Sequence, residues 1–380
     1  MDRDDMTSGD YQAYGVPVLT PSAPPRYGVI VSMGWYALPF LLFDGGMVFL
    51  LQMRILSPLQ VVFFVYTTNF IAFPALNLLW WGGKMLLRTT ASGGRARVEV
   101  HVGLSLLLLA IFEDATFIEP NAIQVEKIDL FSDKVSAPVR ILHISDIQTN
   151  SVGKYEQKVF RLMQQLNPDL ILETGDAVQV SDPQKREQEL QKLAALFRQL
   201  RPKYGIFTVM GDTDWRLEPE IIRQLAKLSG IKVLMDESAF IRAGGGQFRI
   251  LGLSRGKSRR GAKALIEDWL KNTSNTREFT IVMGHAPDYI LDLLDLKIDL
   301  CLAGHTHGGQ VRIPFLGPII TLSKIPRAWA MGYREVGALR MNVSSGIGTE
   351  HLHHLPAIRF NCPPTMTLLT VRPLGKTTTN

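Results

Sequence analysis

Five short segments of this chain carry aspartate or histidine where a backbone turn would present them together. They read Ser145-Asp146-Ile147-Gln148, Gly175-Asp176-Ala177-Val178-Gln179, Gly211-Asp212-Thr213-Asp214, Gly284-His285 and Gly304-His305-Thr306-His307-Gly308-Gly309-Gln310. Carboxylate and imidazole donors without cysteine suit a pair of divalent cations and metal-assisted hydrolysis. One Asp or His in such a place is more often a turn or cap residue. Five segments of one pattern favour a shared site. Cysteine chemistry does not compete: Cys301 and Cys362 are too few for a disulfide framework or a Cys-based zinc cluster. Cys362 also has no base at a recognisable spacing, so Asn361-Cys362-Pro363 reads as structural.

Each segment follows a short apolar run. Val139–Ile144 and residues 170–172, 205–210, 279–283 and 300–302 read as strands, with residues 155–166, 184–200, 218–228 and 263–270 spaced as helices around them. Residues 231–234 form another strand, and 240–242 and 248–251 flank glycines 244–246 as a hairpin. Residues 339–343 and 367–371 are the clearest strands of a β-rich tail. The pattern predicts an α/β domain with a mixed sheet or two packed sheets. Ligands in such domains sit at the carboxyl ends of strands, where the polar segments fall. The glycine ahead of most ligand positions is expected to let the backbone turn sharply. His143 is expected inside its strand.

These segments resemble the signature of the calcineurin-like metallophosphoesterases, which runs D-x-H, G-D-x-x-D, G-N-H-D/E, G-H and G-H-x-H. The run AGHTHGGQVRIPFLG and the tail NVSSGIGTEHLHHLPAIRFNCPP are similar to a bacterial membrane-associated branch that includes phosphodiesterases and a UDP-2,3-diacylglucosamine pyrophosphatase. The resemblance covers residues 139–372 and implies a four-layer α/β/β/α sandwich. It implies a first metal on Asp146, Gln148, Asp176 and His307. A second would lie on Asp176, Asp212, His285 and His305, with Asp176 bridging and a hydroxide between the metals attacking phosphorus. The metals implied are Mn²⁺ first, with Fe, Zn or Mg²⁺ as alternatives, and the substrate is a phosphodiester or pyrophosphate.

Four positions depart from that signature. Gln148 replaces a histidine, and an amide oxygen can still ligate. Asp212 replaces an asparagine and adds a carboxylate, which favours hard metals. Gln179 replaces an aspartate and is expected behind the ligands, as Gln310 is beside the substrate. Thr213 replaces the histidine that assists the leaving group or binds phosphate. Either Asp214 or a substrate-side group then substitutes, or the enzyme is slow; Asp176, Asp212 and Asp214 form the expected catalytic set. A non-catalytic member that keeps the site for metal or partner binding is the alternative. His351, His353 and His354 lie outside the signature and read as surface or substrate-loop residues.

The rest of the chain sets the context. Residues 1–27 and 373–380 read as disordered tails and 119–138 as a linker. Between them, residues 28–118 carry apolar runs that predict two to three transmembrane helices. The run 56–83 has no charge and is long enough to span a bilayer. Asp44-Gly45-Gly46 reads as a break in the first run. Lys84, Arg88, Arg95 and Arg97 are expected on the cytoplasmic side, which puts the catalytic domain on the outer face of a multi-pass inner-membrane protein. From Pro138 onward there are 32 Lys/Arg against 23 Asp/Glu, a balance suited to an anionic substrate or membrane lipids. No stripe of basic residues interleaved with aromatics points to nucleic acid. The densest basic run, Arg255 to Lys263, reads as a solvated loop. A lipid-linked substrate and a water-soluble nucleotide both remain open.

Overall fold

The computed structural model describes residues 38–47, 49–50, 53, 68–86, 94–217, 220–272, 277–318, 320–350 and 358–374. The predicted tail 1–27, residues 375–380 and the three histidines at 351, 353 and 354 lie outside them. The chain divides into two units, residues 119–350 with 361–380 forming the body of one and residues 19–118 with 351–360 the other.

In the N-terminal unit, residues 38–47 are helical, followed by α1 (Phe73–Leu86) and α2 (Gly94–Glu113), which runs into one π turn at Asp114–Ile118. Asp44 lies inside the first helical stretch, where a break was expected. Its half-buried carboxylate accepts from the Asn69 amide at 2.8 and 2.9 Å, which supplies a partner for the charge. No helix among the described residues is long and apolar enough to cross a membrane. The expected third span fails because its helix opens with Arg95, Arg97 and Glu99 and ends on Glu113. Residues 56–67 of the second expected span (56–83), and half of the first, fall outside the described residues.

The larger unit holds two six-stranded sheets. The strands are β1 (Gln124–Ser132), β2 (Val139–Ile144), β3 (Leu170–Glu173), β4 (Ile206–Thr208), β5 (Lys232–Val233), β6 (Glu237–Ala243), β7 (Gly246–Gly252), β8 (Glu278–Met283), β9 (Leu300–Ala303), β10 (Arg312–Ile313), β11 (Gly317–Pro318), β12 (Gly332–Val336), β13 (Leu339–Val343) and β14 (Thr365–Pro373). One sheet runs β1-β14-β2-β3-β4-β5 and the other β12-β13-β9-β8-β7-β6. The helices are α3 (Lys154–Leu166), α4 (Pro183–Phe197), α5 (Asp212–Leu217), α6 (Ile221–Ser229), α7 (Arg255–Arg259) and α8 (Lys263–Lys271).

Strand alternation builds the layers. In β2, Leu142 and Ile144 face Phe160 and Met163 of α3 and Leu193 of α4, whereas Val139 and Ile141 face the second sheet. In the second sheet, Ile281, Met283, Leu300 and Leu302 close that middle layer. Val282 and Cys301 turn the other way, onto Ile266, Trp269 and Tyr289. Three apolar cores between four layers make the expected α/β/β/α sandwich. One segment departs from expectation. Residues 124–132, taken as linker, form β1, the parallel neighbour of β14. The stretch enters the fold still earlier: the Glu119 carboxylate accepts from the backbone N–H groups of Asn361 and Cys362.

His143 sits in the middle layer, fully buried. Asn342 of β13 lies 2.7 Å from its Nδ1 and Thr174 3.1 Å from its Nε2. Burial pushes its pKa down to about 3 from the ordinary 6.5. The folded protein therefore keeps this ring neutral while the unfolded chain protonates it below 6.5. Stability contributed here is present above pH 6.5 and falls as pH drops toward 3, with a slope of up to about 1.4 kcal/mol per pH unit. We expect His143→Gln to be less stable at pH 7, yet to lose stability less steeply between pH 6.5 and 4. Denaturant unfolding at stepped pH checks this, and parallel curves for both proteins would refute it.

Candidate metal centre

The five polar segments converge at the carboxyl ends of β2, β3, β4, β8 and β9. Left-handed backbone falls on the functional residues themselves: Asp146, Gln148, Asp176, His305, His307 and Gln310 all have φ between 42° and 68°. Such non-glycine positions are uncommon and cluster at functional sites. Of the preceding glycines only Gly175 is left-handed. Gly211 and Gly304 are needed for room: a methyl on Gly211 would overlap the Asp176 carboxylate, and one on Gly304 would overlap Ser145 and the Asp146 carboxylate.

All seven expected ligand positions come together. Asp146 meets His307 Nε2 at 3.3 Å and accepts from the His305 backbone N–H at 3.0 Å. Asp176 meets His285 Nε2 at 3.3 Å, and Asp212 meets His305 Nδ1 at 3.2 Å and His285 Nε2 at 3.8 Å. Two donor groups could each hold a cation, Asp146 with Asp176 and His285, and Asp212 with His285 and His305. Gln148 donates from Nε2 to Glu350 at 2.5 Å, and its Oε1 is buried with no hydrogen-bond partner among the described residues.

The donor chemistry fits a metal. His285 gives its Nδ1 proton to the Thr174 carbonyl at 2.8 Å, which turns Nε2 toward the carboxylates. That nitrogen is buried and makes no hydrogen bond of good geometry. Burial alone would lower the pKa of His285, but Asp176, then Asp146 and Asp212, drive it well above the ordinary histidine range. Burial likewise raises Asp146, with the Asp176 charge adding to it. Burial also acts to raise Asp176, yet His285 and the two Thr213 donors outweigh it and hold that carboxyl below the usual range. The metal-free cluster thus traps protons that a divalent cation would displace. His305 is pushed down to about 4 by burial and then by the His285 charge, so its ring is neutral at pH 7. Its Nε2 lies 3.2 Å from the Leu322 carbonyl and 3.2 Å from Arg259. Donation to that carbonyl leaves Nδ1 facing Asp212 as a ligand.

Two expected roles are corrected. Asp214 is fully buried, and its carboxylate is taken up by backbone donors: it accepts from Gly211, Asp176 and Ala177 N–H at 3.0, 2.8 and 3.1 Å. It ties the loops after β3 and β4 together. Thr213 does not stand in a vacant acid position. It caps Asp176 with its N–H at 2.7 Å and its hydroxyl at 3.0 Å. Gln310 accepts from the Glu350 N–H at 2.7 Å. Gln179 keeps its Oε1 buried without a hydrogen-bond partner among the described residues. Cys362 and Cys301 are both buried and do not form a disulfide.

A model of the calcineurin-like phosphoesterase family matches residues 139–309. Those residues belong to that family. Relatives of this chain include two from Bacillus subtilis (strain 168). YkoQ, a metallophosphoesterase, is 26% identical over 230 residues, covering 57% of this chain and 72% of that protein. YkuE, also a metallophosphoesterase, is 26% identical over 265 residues, covering 68% and 88%. The phosphodiesterase YaeI of Escherichia coli (strain K12) is 26% identical over 253 residues, covering 64% and 85%. The chain is a metal-dependent phosphoesterase.

Around this metallophosphoesterase site stand residues that sequence reading missed. Arg255 and Arg259, assigned to a solvated loop, lie on α7 and both reach Asp212, Arg255 at 2.5 Å. Arg255 also stacks over the Trp215 ring at 4.3 Å. Arg216 donates to Thr213 at 3.0 Å and lies 3.9 Å from Glu350. One signal was available. An aspartate in place of an amide at 212 adds a negative charge that calls for a cation, and the basic run at 255–263 was the unassigned supply. Nothing comparable announces Glu350.

Proposed function

We propose that this protein hydrolyses a phosphodiester or pyrophosphate bond in an anionic, lipid-linked substrate, using two divalent metals, Mn²⁺ foremost. The observation that carries the reading is the convergence of all seven donor positions at the carboxyl ends of β2, β3, β4, β8 and β9. The lipid link is supported by the apolar runs before residue 119, and the phosphodiester by likeness to a phosphodiesterase. The membrane orientation is our proposal as well. Lys84, Arg88, Arg95 and Arg97 favour a cytoplasmic 83–98 segment.

Asp146, Gln148, Asp176 and His307 would hold one ion, and Asp176, Asp212, His285 and His305 the other. The ions, when bound, supply Lewis acidity toward the phosphoryl oxygens and acidify an attacking water. The chain's own groups do the rest. Thr213 fixes both oxygens of Asp176, so the bridging carboxylate is oriented before substrate arrives. Thr174 holds the His285 tautomer. Arg255, preorganised by Trp215, and Arg259 present guanidinium donors at the mouth beside Asp212, where they can take the non-reacting phosphate oxygens. The added carboxylate at 212 and these arginines form a matched unit: the aspartate aims them, and they offset its charge.

Bis(p-nitrophenyl) phosphate with Mn²⁺ present is the test substrate. We expect Arg255→Ala/Arg259→Ala to lower kcat/KM by about 10²–10³, as expected for losing charge-assisted contacts of about 1.5–3 kcal/mol each. Arg255→Lys/Arg259→Lys should recover only part of that, because lysine lacks the bidentate fork. An unchanged kcat/KM in the alanine variant would remove the arginines from the site. No hydrolysis of any phosphodiester by metal-loaded wild type would favour the non-catalytic alternative.

A further inference from the structure

Beside the metal centre lies an apolar projection that the chemistry does not use. Strands β10 and β11 pair Arg312 with Pro318 and Ile313 with Gly317, leaving Pro314-Phe315-Leu316 as the turn. Phe315 is fully exposed, and Leu316, Ile320 and Leu322 are each more than 60% exposed. Phe315 and Leu322 are held at φ 67° and 53°, a backbone region that bulky residues avoid. Strain of this kind persists where a function requires it. Large apolar side chains gathered on one projection are not ordinary surface.

The surrounding charge says what covers it. No Asp or Glu occurs between Leu300 and Arg334, whereas Arg312, Lys324, Arg327 and Arg334 all do. Asp288, which meets the segment following the hairpin, accepts from the Ser323 hydroxyl and the Lys324 N–H, both at 2.9 Å. Lys324 and Arg327 are exposed. Apolar side chains at a tip with basic residues behind them match the layering of an anionic lipid surface, acyl chains below and phosphate headgroups above. A protein partner would more usually offer acids at fixed positions and a polar rim.

We propose that Phe315, Leu316, Ile320 and Leu322 insert into an anionic bilayer and seat the mouth of the active site on the membrane surface. The hairpin is joined to the chemistry: the Leu322 carbonyl lies 3.2 Å from His305 Nε2, and Gly309 packs so closely on Pro318 that a methyl there would overlap it. Docking would present the site to phosphoesters at headgroup level, a step that rests on the phosphoesterase reading, whereas insertion itself does not.

The test uses the full chain with Phe315→Cys carrying an environment-sensitive fluorophore. Both native cysteines are buried. Vesicles of equal parts phosphatidylglycerol and phosphatidylcholine should shift its emission to the blue, and brominated acyl chains should quench it. A label at Arg201→Cys, exposed at the opposite end of the first sheet, should do neither. Because apolar runs elsewhere in the chain could hold it on vesicles, the label reports the hairpin alone. In a second arm, Phe315→Ser/Leu316→Ser should slow hydrolysis of a vesicle-embedded phosphodiester by about tenfold or more, while bis(p-nitrophenyl) phosphate stays within about twofold. A label that remains in water, or both rates unchanged, overturns the insertion proposal and leaves the phosphoesterase reading standing. A blue shift that follows protein concentration without vesicles also overturns it, by making a second copy the occupant. Insertion without hydrolysis of either substrate by wild type keeps the proposal and sinks the phosphoesterase reading.

Discussion

Asp176→Asn is expected to lower kcat/KM on bis(p-nitrophenyl) phosphate by at least about 10³, close to the background of the assay. Asp176 is the carboxylate around which the rest is arranged. His285 lies 3.3 Å from one of its oxygens, and Thr213 donates to both, at 2.7 and 3.0 Å. An amide there offers one acceptor in place of two and removes a negative charge from a buried group of cation ligands. The metal content should fall with the rate. The fold should survive, because Asp214 rather than Asp176 ties the loops through three backbone N–H groups. The informative comparison is far-UV circular dichroism beside metal content. Native spectra with lost metal support the bridging role. Activity within about threefold of wild type, with metal retained, would remove it, since no charge-bearing bridge is that dispensable.

Gly211→Ala should do comparable damage through packing alone. The loop after β4 passes so close to the loop after β3 that an added methyl would overlap the Asp176 side chain and its backbone nitrogen. Backbone, unlike the end of a flexible side chain, cannot step aside cheaply. Overpacking of this kind costs about 1–3 kcal/mol and displaces what it touches. We therefore expect a kcat/KM loss of two orders of magnitude or more, a value of about 10² being typical for an ångström-scale misplacement of catalytic groups. The melting temperature should drop by several degrees as well, on the usual scale of about 2–4 °C per kcal/mol for chains of 150–250 residues. The two variants differ in what they report. Asp176→Asn changes a donor and leaves its position intact, whereas Gly211→Ala keeps every donor and moves one.

The ligand positions were legible because the reaction demands particular residue types in particular places. Asp146, Asp176, Asp212, His285, His305 and His307 each end an apolar strand, and the structure gathers them. The sandwich was legible for a related reason: the period-2 alternation in β2, β8 and β9 faces two cores at once. Roles that depend on partners distant in sequence were not legible. Asp214 looked like an acid beside the site, and only the fold shows that three N–H groups from two loops consume it. Thr213 looked like a missing histidine, yet it works as a cap. Glu350 is 202 residues from Gln148, and no local pattern joins them. β1 was hidden because charged residues interrupt its apolar positions, as Glu126, Lys127 and Asp129 do, which fits an edge strand as well as a linker. The glycines were legible as necessary but for another reason, since most provide room and the ligands themselves take the left-handed turns.

Metal stoichiometry tied to activity tests the central claim most directly. Purified full-length protein would be stripped with a chelator, titrated with Mn²⁺, and followed by metal analysis and by hydrolysis of bis(p-nitrophenyl) phosphate in the same samples. The expected result is no activity in the stripped protein and recovery that completes as two ions per chain are bound. Binding should release protons, because Asp146 and His285 hold them in the metal-free site. Hydrolysis that persists undiminished in protein shown to be free of metal would contradict the two-metal site, as would full activity reached with no ion bound to this cluster.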